Sequence, residues 1–207
     1  MPQTRPALAA TFAVALAAGL AACQTSQAEP DVDAAAVRSA LDACMQERVA
    51  DGLGRLDSLL ALAPGHADVL ATRGLCRAVR FAADSVQADA RAAFADLSAA
   101  IDGVTAAPDA FATPLGQLYN QRAFVVRAMR PDDWPAAIAD LGRAVEADPR
   151  NAVFVLDRGV ARALSGDTTA ARTDLRLFER LAPGDTARAR ALRDLLASPR
   201  GTPAVRG

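Results

Sequence analysis

The 207-residue chain has few of the residues that catalytic and metal sites use most often. It contains a single histidine, His66, and three cysteines. One histidine without a second cannot form the usual zinc ligand set, and no serine or cysteine has a histidine base near it in the sequence pattern. No glycine-rich phosphate loop is present. We therefore predict no enzyme, no metal site, no cofactor and no small-molecule substrate.

Aromatic residues are also scarce, at 4% of the chain with one Trp and one Tyr. A protein that binds glycans directly needs exposed aromatic platforms, and this chain offers few. The hydrophobic fraction is nevertheless 52%, and most of it is alanine and other small apolar residues. This composition favours closely packed helices over a β-sandwich, so an all-α fold is expected.

Lysine is absent, and 23 basic residues, all arginine, face 24 acidic ones for a formal charge of −1. This total gives no basic excess. The balance therefore gives no indication of binding to nucleic acid or to anionic lipid.

The first 22 residues have the pattern of an export signal. Arg5 precedes an apolar run from Ala7 to Leu20, which is shorter than the ~20 residues that a membrane-spanning helix requires. The run ends in Leu20-Ala21-Ala22-Cys23, which resembles a bacterial lipoprotein box. The resemblance implies cleavage before Cys23 and acylation of Cys23; the alternative is a plain secretory signal with an incidental cysteine.

Residues 23–31 read as a flexible tether, since Pro30 is present and periodic apolar residues are not. In lipoproteins of this kind, a residue other than Asp after the cysteine implies sorting to the outer membrane, and Gln24 fits that rule. We therefore expect a protein anchored on the periplasmic side of the outer membrane.

A repeated spacing organises the remaining chain. Gly159, Ala171 and Pro183 are twelve residues apart, with Gly166 midway between the first two. Small residues allow two helices to approach closely, and Gly166 supplies the positive φ that ends the first of them. The spacing returns at Ala40, Gly52 and Pro64, and the second-helix pattern returns at Ala137, Leu141, Ala144 and Pro149.

This phased pattern resembles the tetratricopeptide repeat (TPR) family. The resemblance implies a right-handed α-α superhelix of about four helix pairs over residues 32–198. Asp185 can cap a last helix at 186–197, which we expect to cover the end of the solenoid. Pro199 ends that helix, so we expect a disordered tail at 199–207. We expect the first helix to begin near Asp31 or Asp33 and to run to about Ala50. Repeat two is longer than the others, with excess residues at 81–89 and 103–114. The excess indicates either longer helices or a protruding loop that contacts a partner.

In TPR proteins the first helices line a concave groove that binds a peptide or a partner helix. The resemblance therefore implies a non-catalytic scaffold for a protein of the cell envelope, with a peptidoglycan or glycan binder as the alternative. It assigns eight groove residues: Asp68, Leu75, Gln117, Asn120, Phe124, Arg127, Leu156 and Val160.

Two further sets of residues follow from the repeat register. Asp96, Asp140 and Asp174 recur at one place in the second helices, where we expect them to face solvent and to pair with nearby arginines.

Cys44 and Cys76 are late in the first helices of neighbouring repeats, which lie side by side in a solenoid. Since export favours thiol oxidation, we predict a disulfide between them; the alternative is two buried free thiols.

Replacement of Cys23 tests the anchor. Cys23→Ser removes the thiol that would carry an acyl chain, so we expect it to abolish labelling by a radioactive fatty acid and to leave an unprocessed or soluble form. Equal labelling of the wild type and the variant would contradict the lipoprotein assignment.

Overall fold

The computed structural model describes residues 32–198, and within that range the chain forms nine α-helices, one short 3₁₀ helix and no strand. The predicted signal, the tether up to residue 31 and the tail from residue 199 lie outside the described residues. The helices are α1 (Ala34–Met45), α2 (Val49–Leu62), α3 (Ala67–Asp84), α4 (Gln87–Ala106), α5 (Leu115–Met129), α6 (Trp134–Ala147), α7 (Ala152–Ser165), α8 (Thr168–Leu181) and α9 (Thr186–Ala197), and the 3₁₀ helix is Pro108–Ala110.

The helices pack in sequential pairs, α1 with α2, α3 with α4, α5 with α6 and α7 with α8. The first helices also contact one another from pair to pair, whereas the second helices in residues 32–198 make no comparable contact. The array therefore curves with the first helices on its inner side. Helix α9 packs on both α7 and α8 as the cap. The predicted all-α superhelix of four pairs and a capping helix is confirmed.

Side-chain caps explain where many of these helices begin. At the start of α7, the Asn151 side chain accepts a hydrogen bond from the Val153 amide, 3.1 Å away. Such a bond satisfies one of the amides that a helix N-terminus leaves without a partner. Gly166 ends α7 with a φ of 106°, which favours glycine. Four aspartates provide equivalent N-caps: Asp33, Asp133, Asp167 and Asp185.

Small residues allow the helices to approach closely. A Cβ atom on Gly159 would lie 3.1 Å from the Asp174 Cβ and 3.0 Å from a Leu192 methyl group. A larger residue at position 159 would therefore require the Asp174 and Leu192 side chains to shift. The facing residue, Ala171, is fully buried.

A buried ion pair joins the two helices of the last repeat. The Asp174 side chain on α8 is only 2% exposed. Arg158 on α7 donates from Nη2 and Nε to its two carboxylate oxygens at 2.8 and 3.2 Å, and Arg162 donates from Nη1 at 2.8 Å. We call this arrangement the Arg–Asp fork.

The Arg–Asp fork recurs in repeats two and three. Asp96 accepts from Arg73 and Arg77, and Asp140 accepts from Arg122, at distances of 2.6 to 3.0 Å. The expected pairing with arginine is therefore present, but the expectation that these aspartates face solvent is wrong. They are buried because each carboxylate points at the first helix of its own repeat. Hydrogen bonding to the paired aspartate raises the pKa of Arg73 and of Arg122 above the ordinary arginine value.

The expected end of the first helix, near Ala50, is wrong. Helix α1 ends at Met45 and α2 begins at Val49. Glu47 between them has a φ of 64°, so the chain turns without a glycine or proline. The sequence offered no ordinary helix-stop residue at this point.

The first excess segment of repeat two lengthens the helices. Helix α3 has 18 residues and α4 has 20, and only Ser85 and Val86 separate them. An Arg80–Asp89 ion pair joins the two added ends, with an Nε–Oδ2 distance of 2.8 Å. For residues 81–89, the structure therefore contains longer helices and no protruding loop.

The second excess segment folds back on the start of α3. The amides of Ala112 and Thr113 donate to the Asp68 carboxylate at 2.9 and 2.7 Å, and Phe111 meets the His66 ring edge to face. Burial acts to raise the pKa of Asp68, but the hydrogen bonds from Thr113 and Ala112 outweigh it and lower the pKa. Asp68 thus holds the connection against the core.

Cys44 and Cys76 form a disulfide between α1 and α3. Their sulfurs are 2.09 Å apart, their Cα atoms are 5.6 Å apart and their sequence separation is 32 residues. Both side chains are buried. The cross-link joins the first two repeats.

Removal of an Arg–Asp fork carboxylate should destabilise the fold. We expect Asp174→Ala to lower the free energy of unfolding by about 3 kcal/mol, because Arg158 and Arg162 lose their buried counter-charge. Asp194→Ala is the control, since Asp194 is 72% exposed in its ion pair and should contribute under about 1 kcal/mol. Urea unfolding measures both; equal losses would contradict the role of the fork.

Reduction of the disulfide should also destabilise the protein. A cross-link that closes a loop of this size contributes about 3–4 kcal/mol in the chain-entropy model. Urea unfolding with and without a reductant measures the difference, and mass spectrometry after alkylation without reductant measures the oxidation state. Full alkylation of Cys44 and Cys76 in protein purified without reductant would refute the bridge.

Candidate partner-binding groove

Phe124 occupies the centre of the inner surface. It lies on α5, between α3 and α7, and is 58% exposed. Apolar pockets lie on either side of it, and Phe124 forms part of the wall of both. Within residues 32–198, no other side chain covers the exposed part of the Phe124 ring.

The pocket between α5 and α7 has a volume of about 170 Å³. An apolar cavity of ~150 Å³ in another protein holds a benzene molecule, so this pocket can accept one side chain of that size. Leu164 in its wall is 49% exposed. The α5–α7 pocket is lined by Ala123, Phe124, Arg127, Trp134, Leu141, Asp157, Val160, Ala161 and Leu164.

The two charged residues of the α5–α7 pocket have distinct surroundings. The Arg127 guanidinium stacks on the Trp134 ring at 3.3 Å, and its buried Nη1 has no hydrogen-bond partner among the described residues. Asp157 accepts a hydrogen bond from the Asn120 amide at 2.8 Å. Burial raises the pKa of Asp157, although Asn120 and Arg188 oppose that shift. The pocket therefore presents one unsatisfied donor and one partly desolvated carboxylate.

The pocket between α3 and α5 is larger, at about 320 Å³, and no charged residue lines it. Its one polar wall residue is Gln121. The α3–α5 pocket is lined by Leu75, Ala78, Phe81, Ala82, Ala90, Leu97, Gln121, Phe124, Val125 and Ala128.

Four of the eight predicted groove residues line these pockets: Leu75, Phe124, Arg127 and Val160. Gln117 is exposed on α5 but is not part of either wall. The remaining three have structural contacts instead. Leu156 is buried in the core, Asn120 is buried and bonded to Asp157, and Asp68 is bonded to the 112–113 amides.

Some pocket residues were not among those the sequence indicated. Asp157 is an example. Its hydrogen-bond partner Asn120 is 37 residues away and belongs to another repeat, so no local pattern connects the two. Phe81 is another, since its position depends on the added turn of α3. Val160 and Leu164, one turn apart on α7, have different surroundings. Val160 packs against the cluster that contains Leu192 of α9, whereas Leu164 remains exposed at the pocket.

Residues 32–198 contain no cluster of three or more His, Cys, Asp and Glu side chains that could hold a metal ion. Within the same range, no helix has both the length and the hydropathy to cross a bilayer.

No protein-family model matches the chain, and no curated protein sequence is significantly similar to it. Among solved structures, the APC/C hetero-tetramer Cut9–Hcn1 superimposes with a TM-score of 0.63 at 15% identity, over 78% of this chain and 29% of that one. YrrB, a TPR protein with an unusual peptide-binding site, aligns with a TM-score of 0.34 at 15% identity, over 76% of this chain and 90% of that one. The first likeness shows a TPR-type helical-repeat fold, and the chain spans under a third of that structure's length.

Substitutions on α5 test whether Phe124 belongs to a surface or to the core. We expect Phe124→Ala to change the free energy of unfolding by less than about 1 kcal/mol, because most of the ring is exposed. Arg127→Ala should cost about 1 kcal/mol through the lost stacking on Trp134. Leu118→Ala is the control for a buried position of the same helix and should cost about 2–5 kcal/mol.

Circular dichroism and urea unfolding of the three variants measure these effects. The double variant Phe124→Ala with Arg127→Ala should keep the helical spectrum of the wild type. Unfolding of Phe124→Ala alone would place the ring in the core and contradict the groove assignment.

Proposed function

We propose that this protein is a non-catalytic scaffold that binds a protein or peptide partner in its inner groove. The observation that carries the proposal is the exposed Phe124 between two apolar pockets. Exposed apolar surface of this kind is costly in water and often marks an interaction site. An aromatic anchor beside pockets is also typical of the residues that dominate binding energy.

The pockets indicate which kind of segment fits. An apolar side chain suits each pocket, and the α3–α5 pocket offers no charge for a charged group to pair with. The Arg127 Nη1 donor gains a partner if the bound segment presents a carbonyl or carboxylate oxygen near it. We therefore expect a segment with two large apolar side chains, one in each pocket. We also expect it to present a hydrogen-bond acceptor to Arg127 in the α5–α7 pocket.

The proposed location is the periplasmic side of the outer membrane, with acyl chains on Cys23 as the anchor. The lipoprotein-like sequence at 20–23 supports the anchor, and the Cys44–Cys76 disulfide fits an exported protein, because disulfides persist in oxidising compartments. A scaffold held there would recruit a protein involved in assembly or maintenance of the envelope.

The alternative, direct binding of peptidoglycan or another glycan, has less support. The Trp134 ring is covered by the Arg127 guanidinium. The Tyr119 ring has the guanidinium carbons of Arg122 and Arg143 within 5.6 Å of its centroid. Neither ring is a free platform for a sugar.

Capture of the partner from membranes tests the proposal. Detergent-solubilised membranes are incubated with tagged wild type, with Phe124→Ala and with Leu62→Ala. Leu62 is 71% exposed on α2, outside both pockets, so its variant removes apolar surface without touching the groove. We expect the wild type and Leu62→Ala to retain one stoichiometric protein.

Phe124→Ala should reduce that capture at least tenfold, since interface anchors contribute about 2 kcal/mol or more. Equal capture by Phe124→Ala would refute the groove as the binding site. Binding of purified glycan by the wild type, without a protein partner, would support the alternative function.

A further inference from the structure

The total charge of −1 conceals an uneven distribution of charge along the chain. Helices α8 and α9 contain six arginines and three acidic residues. One of the three acidic residues, Asp174, is buried and bonded to two arginines of α7. The surface of the last two helices is therefore more basic than the composition indicates, and charge asymmetry of this kind often marks contact with an anionic partner.

Three of these arginines meet at one cleft between α8 and α9. Arg172 and Arg176 are one turn apart on α8, and Arg193 faces them from α9. The cleft has a volume of about 290 Å³, and its remaining wall is apolar. Its lining residues are Arg172, Leu175, Arg176, Arg193, Leu196 and Ala197.

The cleft holds more positive charge than its neighbours neutralise. Arg193 donates to Glu179 at 3.0 Å, but Arg176 has only the Thr173 hydroxyl, also at 3.0 Å. Arg172 makes no side-chain hydrogen bond or ion pair within residues 32–198. Two like charges one turn apart on a helix repel each other, so Arg172 and Arg176 favour a bound anion.

We propose that the α8–α9 cleft docks on the headgroup of an anionic phospholipid at a membrane surface. Arginine binds phosphate oxygens through its planar fork, which Arg172 and Arg176 can present together. The apolar wall of Leu175 and Leu196 suits the glycerol and upper acyl region, which free phosphate lacks. The cleft contains no aromatic ring on which a nucleobase could stack. This contact is separate from the groove and from any acyl chain on Cys23.

Vesicle binding by residues 24–207, which lack both Cys23 and the apolar run Ala7–Leu20, tests the proposal without an acyl anchor or an export signal. The vesicles contain phosphatidylcholine alone or phosphatidylcholine with phosphatidylglycerol. The test variant is Arg172→Gln with Arg176→Gln. The matched control is Arg91→Gln with Arg150→Gln, which removes the same charge from two exposed arginines that make no side-chain ion pair in the described residues.

We expect the phosphatidylglycerol to strengthen binding, and the test variant to weaken it about thirtyfold, because each arginine near an anionic surface contributes about 1 kcal/mol. The control pair should stay within about threefold of the parent chain, and Arg172→Lys with Arg176→Lys should retain most of the binding. Equal losses in the test and control pairs, or no dependence on phosphatidylglycerol, would overturn the proposal.

A second measurement distinguishes a lipid from free phosphate. The arginine side-chain NMR signals of the same chain are followed with inorganic phosphate and with dihexanoyl phosphatidylglycerol. Docking on a headgroup predicts shifts of Arg172 and Arg176 with the short-chain lipid and much smaller shifts with phosphate. Equal shifts would identify a phosphate site and refute membrane docking.

Discussion

The Arg–Asp fork is the interaction on which the rest of the solenoid depends. In repeats two, three and four, a carboxylate of the second helix is buried and accepts hydrogen bonds from arginines of the first. Desolvation of these charges is costly, so such a pair can specify the helix register without adding much net stability. The pair forms only because small residues such as Gly159 and Ala171 let the helices approach. The fork therefore fixes which face of α3, α5 and α7 is turned to the inner groove.

The irregular length of repeat two connects the fold with the groove. The added turn of α3 contributes Phe81 and Ala82 to the α3–α5 pocket, and the longer α4 contributes Ala90. A repeat of ordinary length would lack these walls, so the pocket beside Phe124 would be shallower. From the sequence, the excess residues of repeat two indicated either longer helices or a loop that contacts a partner. In the structure, the longer helices themselves supply the candidate contact surface.

The fold was predictable from the sequence because the repeat pattern is local. Small residues twelve positions apart, such as Gly159 and Ala171, mark where paired helices pack closely. Gly166 marks the end of α7, and Pro183 marks the end of α8. The contacts of the site were less predictable, because they join different helices. Asp174 reads as a solvent-facing residue when only its own helix is considered, yet Arg158 and Arg162 reach it from α7. The turn after Met45 has no glycine or proline, so no local signal separated α1 from α2.

The carboxylates that neutralise the arginines differ between the second repeat and the last. In repeat two, one carboxylate serves both Arg73 and Arg77, and Asp57 of the preceding α2 provides a second counter-charge at 2.8 Å from Arg73. In repeat four, Asp174 likewise serves two arginines, but no carboxylate of α6 pairs with either of them. Asp174 is two residues from both Arg172 and Arg176, a spacing that places it on the opposite side of α8 from them. The carboxylate that holds the last repeat together therefore does not neutralise Arg172 and Arg176, and the outer face of α8 keeps their positive charge.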